Sequence, residues 1–483
     1  MSLFPKKGKS KEEIAQLIRA KKSTDYNWRN GKLFCSVYDG GDEIQEVVKD
    51  AYMLFLSENP VDPTLFPSLR DMETEVVQMS AEMLQGEEAV GTLTTGGTES
   101  ILLAVKTAKN RAKLLHPEIT QPEIILPYTV HSAFFKACDY FDIKPIITGL
   151  TEEYKADPEA IQKAITPNTI MIAASAPSYV FGVVDPIAEI GKIAEAHDLP
   201  FHVDACIGGI VLSFNRIGNL PETPSFDFSN NGVTSISMDW HKYGYAAKGC
   251  SVLMHVNRDY RKFQFFVCTE WTGYTLVNPT ILSTKSGGPI AGCWAAIQYL
   301  GMDGYVQLSK DQMATTKKII KGINAIEDLY VMGKPEVSLL SFTSDSISVY
   351  DLMDAMVDRG WFLQFQLSSD YSKANLHMTI AKAHKETADQ FLLDLAEAVK
   401  QVQKKSLLKK VGSKATVKTA VALANNLSPD NFNKLGKLLG FSNGKVPETF
   451  ATVNEIMDTL PDATVKNTLL EYFNDFYTYK EKR

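Results

Sequence analysis

Between residues 60 and 300, short apolar runs alternate with segments whose apolar residues recur every three or four positions. MIAASA (171–176), PFHVDAC (200–206), VTSISM (233–238) and CSVLMHV (250–256) predict buried strands. ESILLAVKTAKNRAKLL (99–115) and DPIAEIGKIAEAHDL (185–199) predict helices. Buried strands separated by helices imply an α/β fold, a mainly parallel sheet with helices on both faces. From 305 to 405 the pattern is α+β: VSLLSFTS (337–344) and NLHMTIA (375–381) read as strands, ETADQFLLDLAEAVKQVQ (386–403) as a closing helix. The expected division is therefore a helical and extended segment at 1–60, a large domain at 61–304, a smaller domain at 305–405 and a helical extension at 406–483. That extension opens on a lysine-rich stretch, read as a solvated surface connection in preference to an anionic partner site.

The 483 residues, 45% of them hydrophobic, suffice for one large core and a smaller one. A net charge of −7 and a pI near 5.7 argue against a nucleic-acid binder. No run approaches the roughly 18 apolar residues of a membrane helix, and the basic start MSLFPKKGKSKEEIAQLIRAKK lacks the apolar core of a secretory signal. The six cysteines (35, 138, 206, 250, 268, 293) form no CxxC pair, which suits reduced thiols. A soluble, cytoplasmic protein is expected.

Three stretches carry candidate chemistry. In TTGGTES (94–100), two glycines and hydroxyls lead into a helix, exposing backbone N–H groups at its positive end, a phosphate grip. Taken alone, it reads equally as an ordinary N-cap with Thr98 capping and Glu99 in the first turn. In FHVDAC (201–206), Asp204 ends an apolar strand, where a carboxylate needs a cation or donors. A protonated pyridine nitrogen is one such partner, and capping of the next turn is another. His202 and Asp204 share a strand face without further His or Cys spacing, so no metal is expected. In SMDWHKYGYAAKGCSVL (237–253), Lys242 follows a buried strand, where open α/β sheets place ligands. Apolar and aromatic neighbours are expected to lower its pKa, favouring the free amine of a Schiff-base lysine. Either lysine here, 242 or 248, taken alone also reads as a solvated charge. In this order, with His131 between loop and aspartate, the three match the layout of a fold-type I pyridoxal 5′-phosphate enzyme.

With these residues quoted, the chain resembles the sphingosine-1-phosphate lyases, within the group II decarboxylase-like pyridoxal phosphate enzymes, from about 36 to 400. The likeness rests on SVY (36–38), NPVDPTLFPSLRDMETEV (59–76), TGGTES (95–100), HSAFFKA (131–137), FGVVDP (181–186), HVDACIGG (202–209), GVTSISMDWHKYGYAAKG (232–249), FQFFV (263–267) and SGG (286–288). The block around Lys242 and FQFFV is the most specific to the lyases. His377 and His384 also fall where such lyases carry histidines.

The resemblance implies that Lys242 bonds the cofactor, Asp204 pairs with its ring nitrogen and His131 stacks on the ring. It implies that Gly96, Gly97 and Thr98 hold the cofactor phosphate, helped by His241 and by Thr284 of a second subunit. Tyr38, from that partner, and Lys248 would hold the substrate's own phosphate. The implied reaction is C2–C3 cleavage of a phosphorylated long-chain base to a fatty aldehyde and phosphoethanolamine. It would be carried out by a homodimer with shared sites, without a transmembrane anchor, that meets bilayer surfaces transiently. Trp240, Met238, Asp62, Phe181 and Ser178 depart from the usual pattern, Phe181 by lacking a hydroxyl or imidazole. An amino-acid decarboxylase on the same scaffold is the alternative, and a non-catalytic protein retaining the fold a remoter one.

Overall fold

The computed structural model describes residues 4–408 and 451–478. Seven strands form the main sheet: β1 (Val90–Thr94), β2 (Glu123–Pro127), β3 (Lys144–Thr148), β4 (Thr169–Ser175), β5 (Phe201–Asp204), β6 (Val233–Met238) and β7 (Ser251–His255). Their order is β1-β7-β6-β5-β4-β2-β3. All pairs are parallel except those of β7, which runs antiparallel between β1 and β6. β4, β5 and β6 are buried at every position, as unbroken apolar runs require when helices cover both faces. The helix Gly97–Leu115 buries Ile101, Leu103 and Val105 against one of those faces, together with Ile124, Leu126 and Phe134.

The carboxyl ends of β1, β4, β5 and β6 lie on one edge of the sheet. The segments leaving them contain Thr95–Thr98, Pro177–Tyr179, Asp204–Ile207 and Asp239–Lys242, so topology gathers the expected chemistry at that edge.

A four-stranded antiparallel sheet, Tyr330–Val331, Leu339–Thr343, Asn375–Thr379 and Gln364–Gln366 in that order, has its own core of Phe342, Leu376, Met378, Trp361 and Leu395. One long helix, Gly287–Asn324, serves both cores, Ile290 and Cys293 in the first and Ile319 and Ile323 in the second. It is interrupted at Gly301 (φ 56°, ψ −175°), so the boundary expected at 304/305 falls inside this element. Residues 1–60 are likewise no separate piece. Phe34 is fully buried in the smaller core, while Ile44 and Val48 belong to the larger. His384 pins this clasp, stacking on Phe34 at 4.1 Å and donating from Nε2 to the Leu33 carbonyl (3.0 Å). Of the expected extension, residues 409–450 lie outside the described residues. The helix Ala451–Met457 docks on Val349–Val357, where Ala451 N–H donates to Asp354. Among the described residues, no helix is long and apolar enough to cross a membrane.

Candidate active site

The gathered segments enclose a cavity of about 530 Å³. Gly96–Thr98, His131, Tyr179, Asp204, Asp239, His241 and Lys242 line it. The helix begins at Gly97 with Gly96 as its N-cap, so Thr98 is not the cap. The Gly97 and Thr98 N–H groups have no acceptor among the described residues and are free for an anion. A glycine is required at 97: a Cβ there would meet Cys206 Sγ at 2.6 Å and the Asp239 carboxylate at 2.9 Å. Glu99, buried one turn in, closes the loop. Its Oε2 accepts from Thr95 N–H (2.6 Å) and hydroxyl (2.8 Å), and its Oε1 from the N–H groups of Ile281 (2.7 Å) and Leu282 (3.3 Å).

Asp204 is held through one oxygen. Oδ1 accepts from Cys206 N–H (3.0 Å) and the Ser237 hydroxyl (3.3 Å), leaving Oδ2 without a partner among the described residues. Ser237 also contacts His202 Nε2 (3.1 Å), whose Nδ1 meets Ser235 (2.8 Å). Burial lowers the pKa of that imidazole to about 4, so it is neutral at pH 7 and orients the hydroxyls without adding charge.

Lys242 Nζ stands 2.9 Å from Asp239 Oδ2, and His241 Nε2 lies 3.6 Å from the same oxygen. The expectation that the surroundings lower the lysine's pKa is not met. Burial acts in that direction, but the Asp239 carboxylate, with Cys206 and Tyr38, outweighs it and raises the pKa above the ordinary lysine value. For Asp239, burial opposes ionisation while Lys242 and His241 favour it, and its pKa falls below the usual carboxylate range. His241 is neutral, pushed down to about 4 by burial. Its Nδ1 accepts from Cys250 N–H (3.2 Å), which puts its proton on Nε2.

Tyr38 and Lys248 lie together just outside the lining, with Lys248 Nζ 4.8 Å over the Tyr38 ring. Both reach this place within a single chain, whereas the resemblance assigns Tyr38 to a partner. Lys248 Nζ also donates to the His241 carbonyl (3.0 Å). Thr284 is exposed and does not line its own chain's cavity, although Ile281 and Leu282 do. His131 accepts at Nδ1 from Ala133 N–H (3.2 Å).

Among the lining residues, sequence alone assigns no role to Asp239 and Tyr179 and places Glu99 only in the first turn of the helix. Asp239 directly follows the buried strand Val233–Met238, and its i, i+3 spacing from Lys242 was the available signal. Tyr179 donates to Gln364 (2.7 Å) and packs against His377 at 4.3 Å, tying the cavity to the smaller sheet.

The pyridoxal-dependent decarboxylase conserved domain matches residues 4–345, and a C-terminal putative HTH domain of pyridoxal-dependent enzymes matches 414–475. Sphingosine-1-phosphate lyase 1 of Rattus norvegicus is 38% identical over 413 residues, 85% of this chain and 72% of the relative. Sphingosine-1-phosphate lyase of Oryza sativa subsp. japonica is 40% identical over 409 residues, 83% of this chain and 74% of the relative. The chain belongs to the sphingosine-1-phosphate lyase family. The solved lyase of Burkholderia pseudomallei superposes with a TM-score of 0.80 at 33% identity, covering 84% of this chain and 94% of that one. A Lactobacillus brevis glutamate decarboxylase (TM-score 0.73, 21% identity, covering 83% and 95%) shares the fold.

As a lyase of this family the enzyme uses pyridoxal phosphate, and its residues fit that group. The cavity offers a helix start with unspent N–H groups, a carboxylate with one open oxygen, and a half-buried amine on the same wall. The departures from the usual pattern leave this wall intact. Trp240 faces the core, its Nε1–H donating to Ser80 (3.1 Å). Phe181 stacks on Tyr154 at 4.2 Å in a satellite cluster with Val183 and Met332, away from the cavity. Phe181 is therefore not among the residues that line this cavity.

Proposed function

We propose that this enzyme cleaves the C2–C3 bond of a phosphorylated sphingoid base, giving a long-chain aldehyde and phosphoethanolamine. The observation that carries the reading is the convergence of Lys242, Asp204 and the Gly96–Thr98 helix start on one cavity, with Lys248 beside it. The bound cofactor supplies an electron sink for the carbanion left on C2. Gly96, Gly97, Thr98 and the neutral His241 hold its phosphate, and Asp204 keeps a proton on its ring nitrogen through the oxygen that Ser237 and Cys206 leave open. His131 covers the ring. Lys242 would carry the covalent bond to the cofactor and, as a free amine, would move protons at C2. Lys248 and Tyr38 would take the substrate phosphate, turning distant binding energy into orientation of the reacting carbon.

A homodimer with shared sites belongs to the same reading, supported by apolar side chains exposed beside the cavity. Phe266, Val267 and Val277 of the hairpin Phe266–Asn278, and then Ile281 and Leu282, face outward next to Thr284. A cytoplasmic location, with transient bilayer contact to collect an apolar substrate, completes it.

Purified holoenzyme incubated with sphingosine-1-phosphate should release a long-chain aldehyde and phosphoethanolamine in equal amounts. Carbon dioxide from glutamate or an aromatic amino acid, with no aldehyde from the lipid, would replace this reading with decarboxylation.

A further inference from the structure

Asp239 has no part in the roles assigned so far, yet it is the most fully enclosed charge in the site. It is 1% exposed, lines the cavity and is the one carboxylate within ion-pairing distance of Lys242 among the described residues. Its Oδ2 meets Lys242 Nζ at 2.9 Å, while Oδ1 lacks a hydrogen bond of normal geometry although the Ser251 hydroxyl lies nearby. The carboxylate packs so closely on Gly97 that a Cβ there would lie 2.9 Å from it, and the backbone turn that carries both Asp239 and Lys242 is closed by the Lys242 N–H donating to the Asp239 main-chain carbonyl (3.3 Å). A carboxylate enclosed this fully is costly to leave without its cation, even though the Lys242 side chain itself is only partly buried. The geometry therefore ties the charge of Asp239 to the protonation of the Lys242 nitrogen.

We propose that Asp239 is a positioning residue whose carboxylate keeps a proton on the Lys242 nitrogen, both when that nitrogen is bonded to the cofactor and after the substrate amine has displaced it. The proposal rests on the reading of Lys242 as the cofactor-bonded lysine. The protons balance. A substrate ammonium that takes over the covalent bond sheds the protons with which Lys242 departs as an ammonium. Lys242 could then give one to C2 as the C2–C3 bond breaks, the electron pair of that bond forming the new C–H bond while the C3 hydroxyl releases its proton to solvent and its oxygen becomes the aldehyde carbonyl. The other titratable groups facing Lys242 do not compete for the role. His241 and Lys248 from its own turn are a neutral imidazole and a second cation, while Cys206 after β5, Tyr38 from the clasp and Tyr179 after β4 have thiol and phenol pKa values raised by burial.

The test is a pH titration of the visible cofactor absorbance in full-length holoenzyme, wild type against Asp239→Asn. The variant should bind cofactor and still give borohydride-trapped cofactor on Lys242, but the midpoint at which the nitrogen loses its proton should fall by about one to three pH units, the usual effect of an adjacent opposite charge. A midpoint within a few tenths of a unit of wild type, with trapping intact, overturns the proposal. Absence of trapping at Lys242 in wild type would sink the underlying reading instead. Should Asp239→Asn fail to fold, the wild-type apoenzyme decides. Acylation of Lys242, followed by mass spectrometry, should have a pH midpoint above that of the exposed lysines, and one at or below theirs overturns the proposal.

Discussion

Glu99→Ala removes a carboxylate that accepts four hydrogen bonds and joins the Thr95–Thr98 loop to the Ile281–Leu282 segment. A hydrogen bond to a charged group contributes about 1.5–3 kcal/mol net. Four such bonds do not add, because Ile281 and Leu282 are exposed and water can replace the carboxylate on their N–H groups. The loss that remains is that of the Thr95 pair, about 3 kcal/mol. The loop supplies the free N–H groups at the cavity, so the variant must reorder it on binding the cofactor. The expected result is a cofactor dissociation constant raised about 100-fold, since 1.4 kcal/mol is a factor of ten. Glu99→Gln keeps one acceptor oxygen but presents an NH2 group to Thr95 or to Ile281, and should fall between wild type and alanine. Titration of apoenzyme with cofactor, followed by visible absorbance, measures both. Affinities for both variants within twofold of wild type would refute the argument that Glu99 organises the loop.

Lys248→Ala should lower kcat/KM for a phosphorylated sphingoid base roughly tenfold to a hundredfold, the worth of one charge-assisted contact. It should leave the dephosphorylated analogue unaffected, and equal loss for both removes Lys248 from the phosphate site. Trp240→Thr should destabilise the fold by about 3–5 kcal/mol in urea unfolding, because it empties a buried indole site, while leaving the visible absorbance of the folded holoenzyme unchanged. Acid should unfold the enzyme between pH 6.5 and 4. Burial depresses the folded-state pKa of His202, His255, His377 and His384 from 6.5 to about 4. The unfolded chain therefore binds protons first, and stability present above pH 6.5 is lost as pH falls towards 4. Circular dichroism that stays constant down to pH 4 would contradict this.

The main sheet was legible because β4, β5 and β6 are buried throughout, and apolar runs of that length leave few alternatives to a covered sheet. The site was legible where local sequence supplies it, in a Gly-Gly helix start and in charged residues ending apolar strands. What stayed hidden depends on distant partners. Nothing near Phe34 says that it fills the core of the smaller sheet, and nothing near Glu99 names residues 281 and 282 as its donors. Phe181 and Trp240 depart from the family pattern, and sequence gives no direction for a side chain after a turn. In the fold both face packed apolar surroundings. Apolar and aromatic neighbours do surround Lys242 and burial does oppose its charge, but the Asp239 carboxylate, which local sequence does not aim at it, leads the groups that raise its pKa.

The proposed chemistry depends on the nitrogen at position 242. Reduction of the holoenzyme with borohydride, followed by proteolysis and peptide mass spectrometry, should place the reduced cofactor on Lys242 and on no other lysine. A modified peptide that contains a different lysine, or none that carries the added mass, would contradict it.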